Sequence, residues 1–573
     1  MRSGESWRKP RSQSSPELPQ KRPPGKPLRT WRRSSRLRRG TRLADPWWRS
    51  AVVYQVYPRS FCDADARGEG NLPGVRSRLP YLMDLGVDAI WLNPFYPSPM
   101  HDGGYDVADY CDVDPRFGTL RDFDALVADA MALGIRVIID IVPNHCSSRH
   151  PWFEEALSSG PGSNARERFI FRDTPNNWQS HFDGPAWTRT PDGQYYLHLF
   201  DSTQPDFNWR HPDVVAMFER VLRFWLDRGV AAVRVDMANT LFKDSELPDR
   251  LADSRLVPYY NRPELHDLYR SWRGILDSYP ADVYPGPRGA IAEIWFDDPD
   301  SARPYLADGG LPQTFNFRLM LVPWAAAELR AVIDEARQLV ADSGGSMPWV
   351  LGNHDITRMV SRLGIDQALI RHPTEALRRG TVEPDKVLGT RRARAAALLI
   401  LALPGTAYLY QGDELGLPEH LAIPVERRDD PTFHRTGGAA VGRDGCRVPL
   451  PWSGDAPPYG FANQPVRTWL PQPLDWAALT VATELSEVDS VLNLYRSALR
   501  LRRQHPALGD GEMRWLDAGA DTLAFTREPG FGFVANFGDR PVMMPAGSHV
   551  ILASGPLYGA LLPADTAVWL KFQ

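Results

Sequence analysis

Strand-like and helix-like segments alternate along this chain from about residue 50, and that alternation most narrows the folds open to it. Val52–Tyr57 is rich in β-branched and aromatic residues. Pro73–Leu85 then places apolar side chains at helical spacing and stops at Gly86. Leu120–Leu133 reads as a helix closed by Gly134, and Val214–Asp227 as another before Gly229. Arg136–Val142 is a nearly continuous apolar run, as expected of a strand buried on both faces. With AIWLNP, AAVRVD, GAIAEI, QTFNF, PWVLGN and TAYLYQG the strands number eight. Eight strands separated by helices predict an α/β fold, a (β/α)8 TIM barrel. A doubly wound open sheet would want a Gly-rich phosphate loop after its first strand, and the sequence has none there.

Two connections are too long to be plain loops. Residues 146–208, between the third strand and its helix, hold many aromatics and Pro/Gly turns and read as a small inserted domain over one side of the barrel mouth. Residues 412–485 follow the eighth strand and predict a second rim. After a helix at Val491–Gln504, short alternating strands between Gly, Pro and Asp turns predict an antiparallel β-sandwich tail. The expected organisation is a basic tail at 1–45, barrel at 46–145 and 209–509, insertion at 146–208, and a C-terminal β domain at 510–573.

Charge divides unevenly. Residues 1–45 hold fourteen Lys and Arg against three Asp and Glu, so a net charge of −4 conceals a basic tail and an acidic body. An acidic body argues against nucleic acid as a partner. The tail lacks the apolar core of a secretory signal, reads as disordered, and leaves a cytoplasmic location as the expectation. No apolar run reaches membrane-spanning length. Cys62, Cys111, Cys146 and Cys446 lie in unrelated contexts without metal-type spacing and read as reduced thiols.

Four segments end apolar runs in ionisable residues: DIVPNH (Asp140–His145), VAAVRVDMAN (Val230–Asn239), AIAEIW (Ala290–Trp295) and VLGNHD (Val350–Asp355). In a barrel, such strand ends converge on one mouth. Arg234 and Asp236 stand two apart on a strand and share a face, so the arginine is expected to hold Asp236 ionised, as a nucleophile requires. Glu293 sits among apolar neighbours, which predicts a protonated carboxyl and a general-acid role. Asp355, beside His354, supplies a third carboxylate suited to gripping hydroxyls of a sugar ring. Asp140 reads as a structural tie for the loop after its strand.

These motifs, in this order, resemble the α-amylase superfamily of glycoside hydrolases, in its α-glucosidase and oligo-1,6-glucosidase branch, from about residue 46 onward. QPDFNW (Gln204–Trp209) resembles a further signature of that branch. The resemblance implies Asp236 as nucleophile, Glu293 as acid/base and Asp355 as transition-state stabiliser. It implies Asp102 and Tyr105, in HDGGYD, as contacts to the terminal glucose, with His145, Arg234 and His354 around the same ring. Arg447, in RDGCRVPLPW, matches an arginine reaching over that pocket. The implied activity is a retaining, exo-acting α-glucosidase on short oligosaccharides, working as a monomer or homodimer without a membrane partner. Alternatives are a glucosyltransferase or a sucrose- or trehalose-type isomerase and, more remotely, a non-catalytic partner of a transporter.

Two departures from the family pattern stand out. Relatives often carry a calcium loop near the first strand; here the stretch is Asp63-Ala-Asp65-Ala-Arg67-Gly-Glu69-Gly-Asn71. A guanidinium beside a hard cation repels it, so Arg67 is expected to bridge Asp63 and Asp65, with no cofactor. Met237 follows the nucleophile where relatives carry Val, Ala or Thr, which makes it the candidate for linkage specificity. α-1,4 linkages are the expectation.

Overall fold

The computed structural model describes residues 46–572, apart from 252–256, 296–298, 308, 344, 368–371 and 510. The basic tail at 1–45 lies outside the described residues.

An eight-stranded parallel sheet curls into a nearly closed barrel. Its first strands are β1 (Val52–Val56), β2 (Ala89–Leu92) and β3 (Arg136–Ile141). The insertion follows, with β4 (Phe171–Arg172), β5 (Trp187–Arg189) and β6 (Tyr195–Leu197). The barrel resumes with β7 (Ala232–Val235), β8 (Gly289–Ala292), β9 (Gln313–Thr314), β10 (Pro348–Val350) and β11 (Thr406–Tyr410). Strand order is β10-β11-β1-β2-β3-β7-β8-β9. This is the predicted TIM barrel.

Local chemistry sets the helix limits. Thr119 and Asp122 form a reciprocal capping box at the start of Leu120–Leu133, and Gly134 ends it at φ 72°. The single helix expected over Pro73–Leu85 is instead two, Leu72–Ser77 and Leu79–Leu85. Pro80 cannot donate back into a preceding turn, so the chain restarts with proline in the first turn of the second helix. The QTFNF segment yields only the two-residue β9, because Asn316 turns to accept from the Arg318 amide at 3.0 Å and opens a short helix.

The insertion carries helices Pro151–Ser159 and Asn164–Glu167 and a three-stranded sheet ordered β4-β6-β5. Its two ends are tied together. The Cys146 amide donates to Pro205 O at 3.2 Å and the Phe207 amide to Asn144 O at 3.0 Å. The C-terminal region folds as a five-stranded antiparallel sheet and a two-stranded one. It seats on the helix Lys386–Ala402, where the Trp569 indole donates to Leu398 O at 3.0 Å and Arg527 to Ala402 O at 3.0 Å. The four cysteines are free. No helix among the described residues is long and apolar enough to cross a membrane.

Candidate active site

Register alone brings the acids together. Asp140 pairs with Arg234 across β3 and β7, and Val235 pairs with Ala292 across β7 and β8. One residue beyond that last pair lie Asp236 and Glu293. The parallel hydrogen bonding continues past the strand ends, with the Glu293 amide donating to Val235 O at 2.9 Å and the Ala238 amide to Glu293 O at 2.9 Å. Both carboxylates line one cavity of about 400 Å3 at the C-terminal mouth of the barrel.

Arg234, 1% exposed, is the hub of this mouth. Its Nη1 donates to Asp236 Oδ1 at 2.8 Å and to Asp140 Oδ1 at 2.9 Å, and its Nη2 lies 2.5 Å from Glu293 Oε2. Glu293 also accepts from the Met237 amide and from the Trp295 indole, each at 3.1 Å. The apolar surroundings expected of Glu293 are therefore replaced by three donors. Burial pushes the Asp236 carboxyl well above its ordinary range; Arg234 opposes this, while Glu293, Asp140 and Asp355 add to it. One guanidinium is thus shared among Asp236, Asp140 and Glu293. Asp140 is more than a loop tie. Burial raises it to about 7 against the pull of Arg234, and its Oδ2 accepts from the Tyr105 hydroxyl at 2.9 Å.

A second cluster lines the inner end of the cavity. Arg443 Nη2 donates to Asp102 Oδ1 at 2.6 Å, and its Nη1 donates to Asp355 Oδ1 at 3.0 Å. Gln204 Nε2 donates to Asp102 Oδ2 at 3.0 Å and reaches His145 Nε2 at 3.1 Å. Burial lowers His145 to about 4, so its ring is neutral and accepts from that amide. Burial raises Asp102 to about 6, opposed by Arg443 and Arg447. Tyr105 stacks one ring face on His354, with centroids 5.2 Å apart and planes 8° apart. Burial, aided by Arg447, Arg234 and Arg443, drives His354 far below its ordinary range. Burial would raise Asp355, but His354, Arg443, Arg447 and Arg234 outweigh it and hold the carboxyl well below its usual value. Since His354 is neutral at neutral pH, the arginines carry that effect.

The structure exchanges two arginines. Arg447, expected over the pocket, is 2% exposed and bonds Asp355 Oδ1 from behind at 2.9 Å. Arg443, four residues earlier in RDGCR, faces the cavity instead. The signal was a pair of arginines one helical turn apart in one motif, and the sequence reading chose the wrong member. The outer wall was also missed: Tyr260, Trp295, Ile356 and Thr432 line it beside Met237. Met237 is held at φ 44°, a left-handed conformation that points its amide at Glu293.

The calcium-type loop is closed in another way than expected. Asp63 accepts from its own backbone, from the Asp65 amide at 2.9 Å and the Gly68 amide at 2.7 Å. Arg67 reaches only Asp65, at 3.7 Å on the surface, so it does not bridge the two aspartates. Asn71 caps the following helix through the Gly74 amide at 2.8 Å. Oxygens of Asp63 and Asn71 thus serve backbone donors within the loop.

Residues 55–511 match the family described as alpha amylase, catalytic domain, and the chain belongs to that family. It is a glycoside hydrolase of the α-glucosidase and oligo-1,6-glucosidase branch. The chain is 37% identical over 514 residues to a probable alpha-glucosidase of Rhizobium meliloti (strain 1021), covering 84% of this chain and 87% of that one. It is 31% identical over 579 residues to an oligo-1,6-glucosidase of Parageobacillus thermoglucosidasius, covering 92% and 96%. Among solved structures, an alpha-glucosyl transfer enzyme superposes with a TM-score of 0.78 at 36% identity, over 92% of this chain and 100% of that one. An isomaltulose synthase from Klebsiella sp. LX3 does so with 0.80 at 29% identity, over 92% and 99%.

Proposed function

We propose that this protein is a retaining, exo-acting α-glucosidase that removes terminal α-linked glucose from short oligosaccharides. The observation that carries the reading is a single guanidinium holding Asp236 and Glu293 in one cavity that Asp102, Arg443 and Asp355 line as a bonded cluster. Such a cluster at one end of the cavity favours a chain terminus over the middle of a chain. Asp102, His145, Arg443 and His354 supply donors and acceptors for the hydroxyls of one sugar ring.

In the first step Glu293 gives a proton to the glycosidic oxygen as the bond from that oxygen to C1 breaks, and an Asp236 oxygen bonds to C1. The step needs the proton on Glu293 and the charge on Asp236. Arg234, donating to Asp236 Oδ1 at 2.8 Å, favours the charge on the nucleophile. In the second step water attacks C1, its proton passes to Glu293, and Asp236 is released. Asp355, held ionised by Arg443 and Arg447, is placed to stabilise the flattened ring in both steps.

A second reading keeps the covalent intermediate and delivers glucose to another sugar. It is favoured by the structural likeness to an alpha-glucosyl transfer enzyme and an isomaltulose synthase. Incubation with maltose, isomaltose, sucrose and trehalose, followed by NMR of the first anomer released, separates the readings. Free α-glucose from maltose supports the first, and a new disaccharide as main product supports transfer. Release of β-glucose would overturn retention in either.

A further inference from the structure

The Glu293 carboxylate is held from two sides. Oε2 takes Arg234 and the Met237 amide, both from β7 and its continuation. Oε1 takes the indole N–H of Trp295, two residues along its own segment, at 3.1 Å. The Trp295 ring is half-buried at the outer wall of the cavity and lies against Phe317, with ring centroids 4.4 Å apart. Phe317 in turn stacks on Phe315 at 5.1 Å. The indole is thus braced by two aromatic rings at the height of the carboxylate.

We propose that Trp295 is a positioning residue for Glu293, its indole N–H stabilising the ionised carboxylate that the first step generates and the second consumes. The inference rests on the reading of Glu293 as the acid/base. A carboxylate oxygen accepts an N–H strongly, whereas the hydroxyl oxygen of a carboxylic acid accepts it poorly. As the proton leaves Oε1 for the glycosidic oxygen, which keeps the electron pair of the broken bond, the indole bond strengthens. That is stabilisation that grows along the reaction coordinate beyond what the ground state has. When water attacks C1, its proton returns to Oε1 and the bond relaxes. The charged groups facing Glu293 are Arg234 and Asp236 from β7 and its end and Asp140 from β3; Asp355 acts on the same cluster through Asp236. A change at Trp295 leaves all four in place.

Trp295→Phe keeps the ring against Phe317 and removes the N–H. The expected result is a roughly 3- to 30-fold fall in kcat with KM nearly unchanged, and an alkaline limb of the kcat/KM profile displaced upward by about half to one pH unit. The loss should be larger for a disaccharide than for p-nitrophenyl α-glucoside, whose leaving group needs less protonation. Benzothienylalanine at position 295, isosteric with tryptophan but lacking the N–H, repeats the test if Phe perturbs folding. A kcat within twofold of wild type and an unmoved limb in a folded variant would overturn the proposal. Glu293→Gln separates the two levels. If it is inactive while Trp295→Phe matches wild type, only the role of Trp295 fails; if it keeps full activity, the acid/base reading itself fails.

Discussion

The inner end and the outer wall of the same cavity are built on opposite principles. At the inner end, Asp102, His145, Gln204, Asp355 and Arg443 hold one another by reciprocal hydrogen bonds. At the outer wall, Met237, Ile356 and Trp295 present apolar or aromatic surface. A fully bonded polar cluster tolerates little change, because deleting one member strands a buried partner. Apart from the Trp295 N–H and the left-handed backbone at Met237, the apolar wall accepts substitution at the cost of shape alone. On the proposed function, the inner end therefore defines what ring is bound, and the wall defines what is attached to it.

Between the two regions stand the reacting acids, and removing one should have the largest effect. Asp236→Asn is expected to lower kcat on p-nitrophenyl α-glucoside at least ~1000-fold with an unchanged circular dichroism spectrum; retained turnover would remove the nucleophile from the scheme. Next comes the inner end. Arg443→Ala leaves Asp102 and Asp355 without a shared donor and should cut kcat/KM about 30- to 300-fold, whereas Arg443→Lys should recover part of it.

The inner cluster also carries a pH signature. Burial raises Asp102 to about 6. Activity should therefore fall below about pH 6, as Asp102 takes up a proton and loses its ion pair with Arg443. The stability term has the opposite direction. A carboxyl raised above its unfolded value of about 4 favours the fold below that pH and loses this contribution as the pH climbs through about 6. Urea midpoints and kcat/KM across pH 4–8 check both signs; a common direction would contradict the assignment.

The outer wall predicts a smaller effect of another kind. Met237→Ala should change the maltose-to-isomaltose preference by about 3- to 10-fold while leaving Tm within a degree or two. An unchanged ratio would move linkage choice elsewhere on the wall. Least of all is expected at the loop Asp63–Asn71. Its oxygens already serve backbone amides, so we propose a metal-independent enzyme, in which EDTA or added calcium shifts Tm by less than about 1 °C.

The same contrast explains what the sequence made legible. Strand ends were readable because their register is fixed by burial on both faces, which is why Asp236, Glu293 and Arg234 meet as expected. Side chains on loops were not. The Arg443 and Arg447 exchange depends on how residues Asp444–Cys446 turn, which no periodicity encodes. The sharing of Arg234 was not legible either: an arginine beside Asp236 suggested one ion pair, but Asp140 and Glu293 lie on the same guanidinium. The pattern of apolar spacing ignored Pro80 and merged two helices into one.

The clasp at the base of the insertion, where His145 bridges Asp206 in antiparallel fashion, makes the whole excursion a cassette with a fixed socket. The bridge brings Gln204 Nε2 back within 3.1 Å of His145 Nε2. A change confined to the residues between the two ends thus alters the roof and leaves this junction in register.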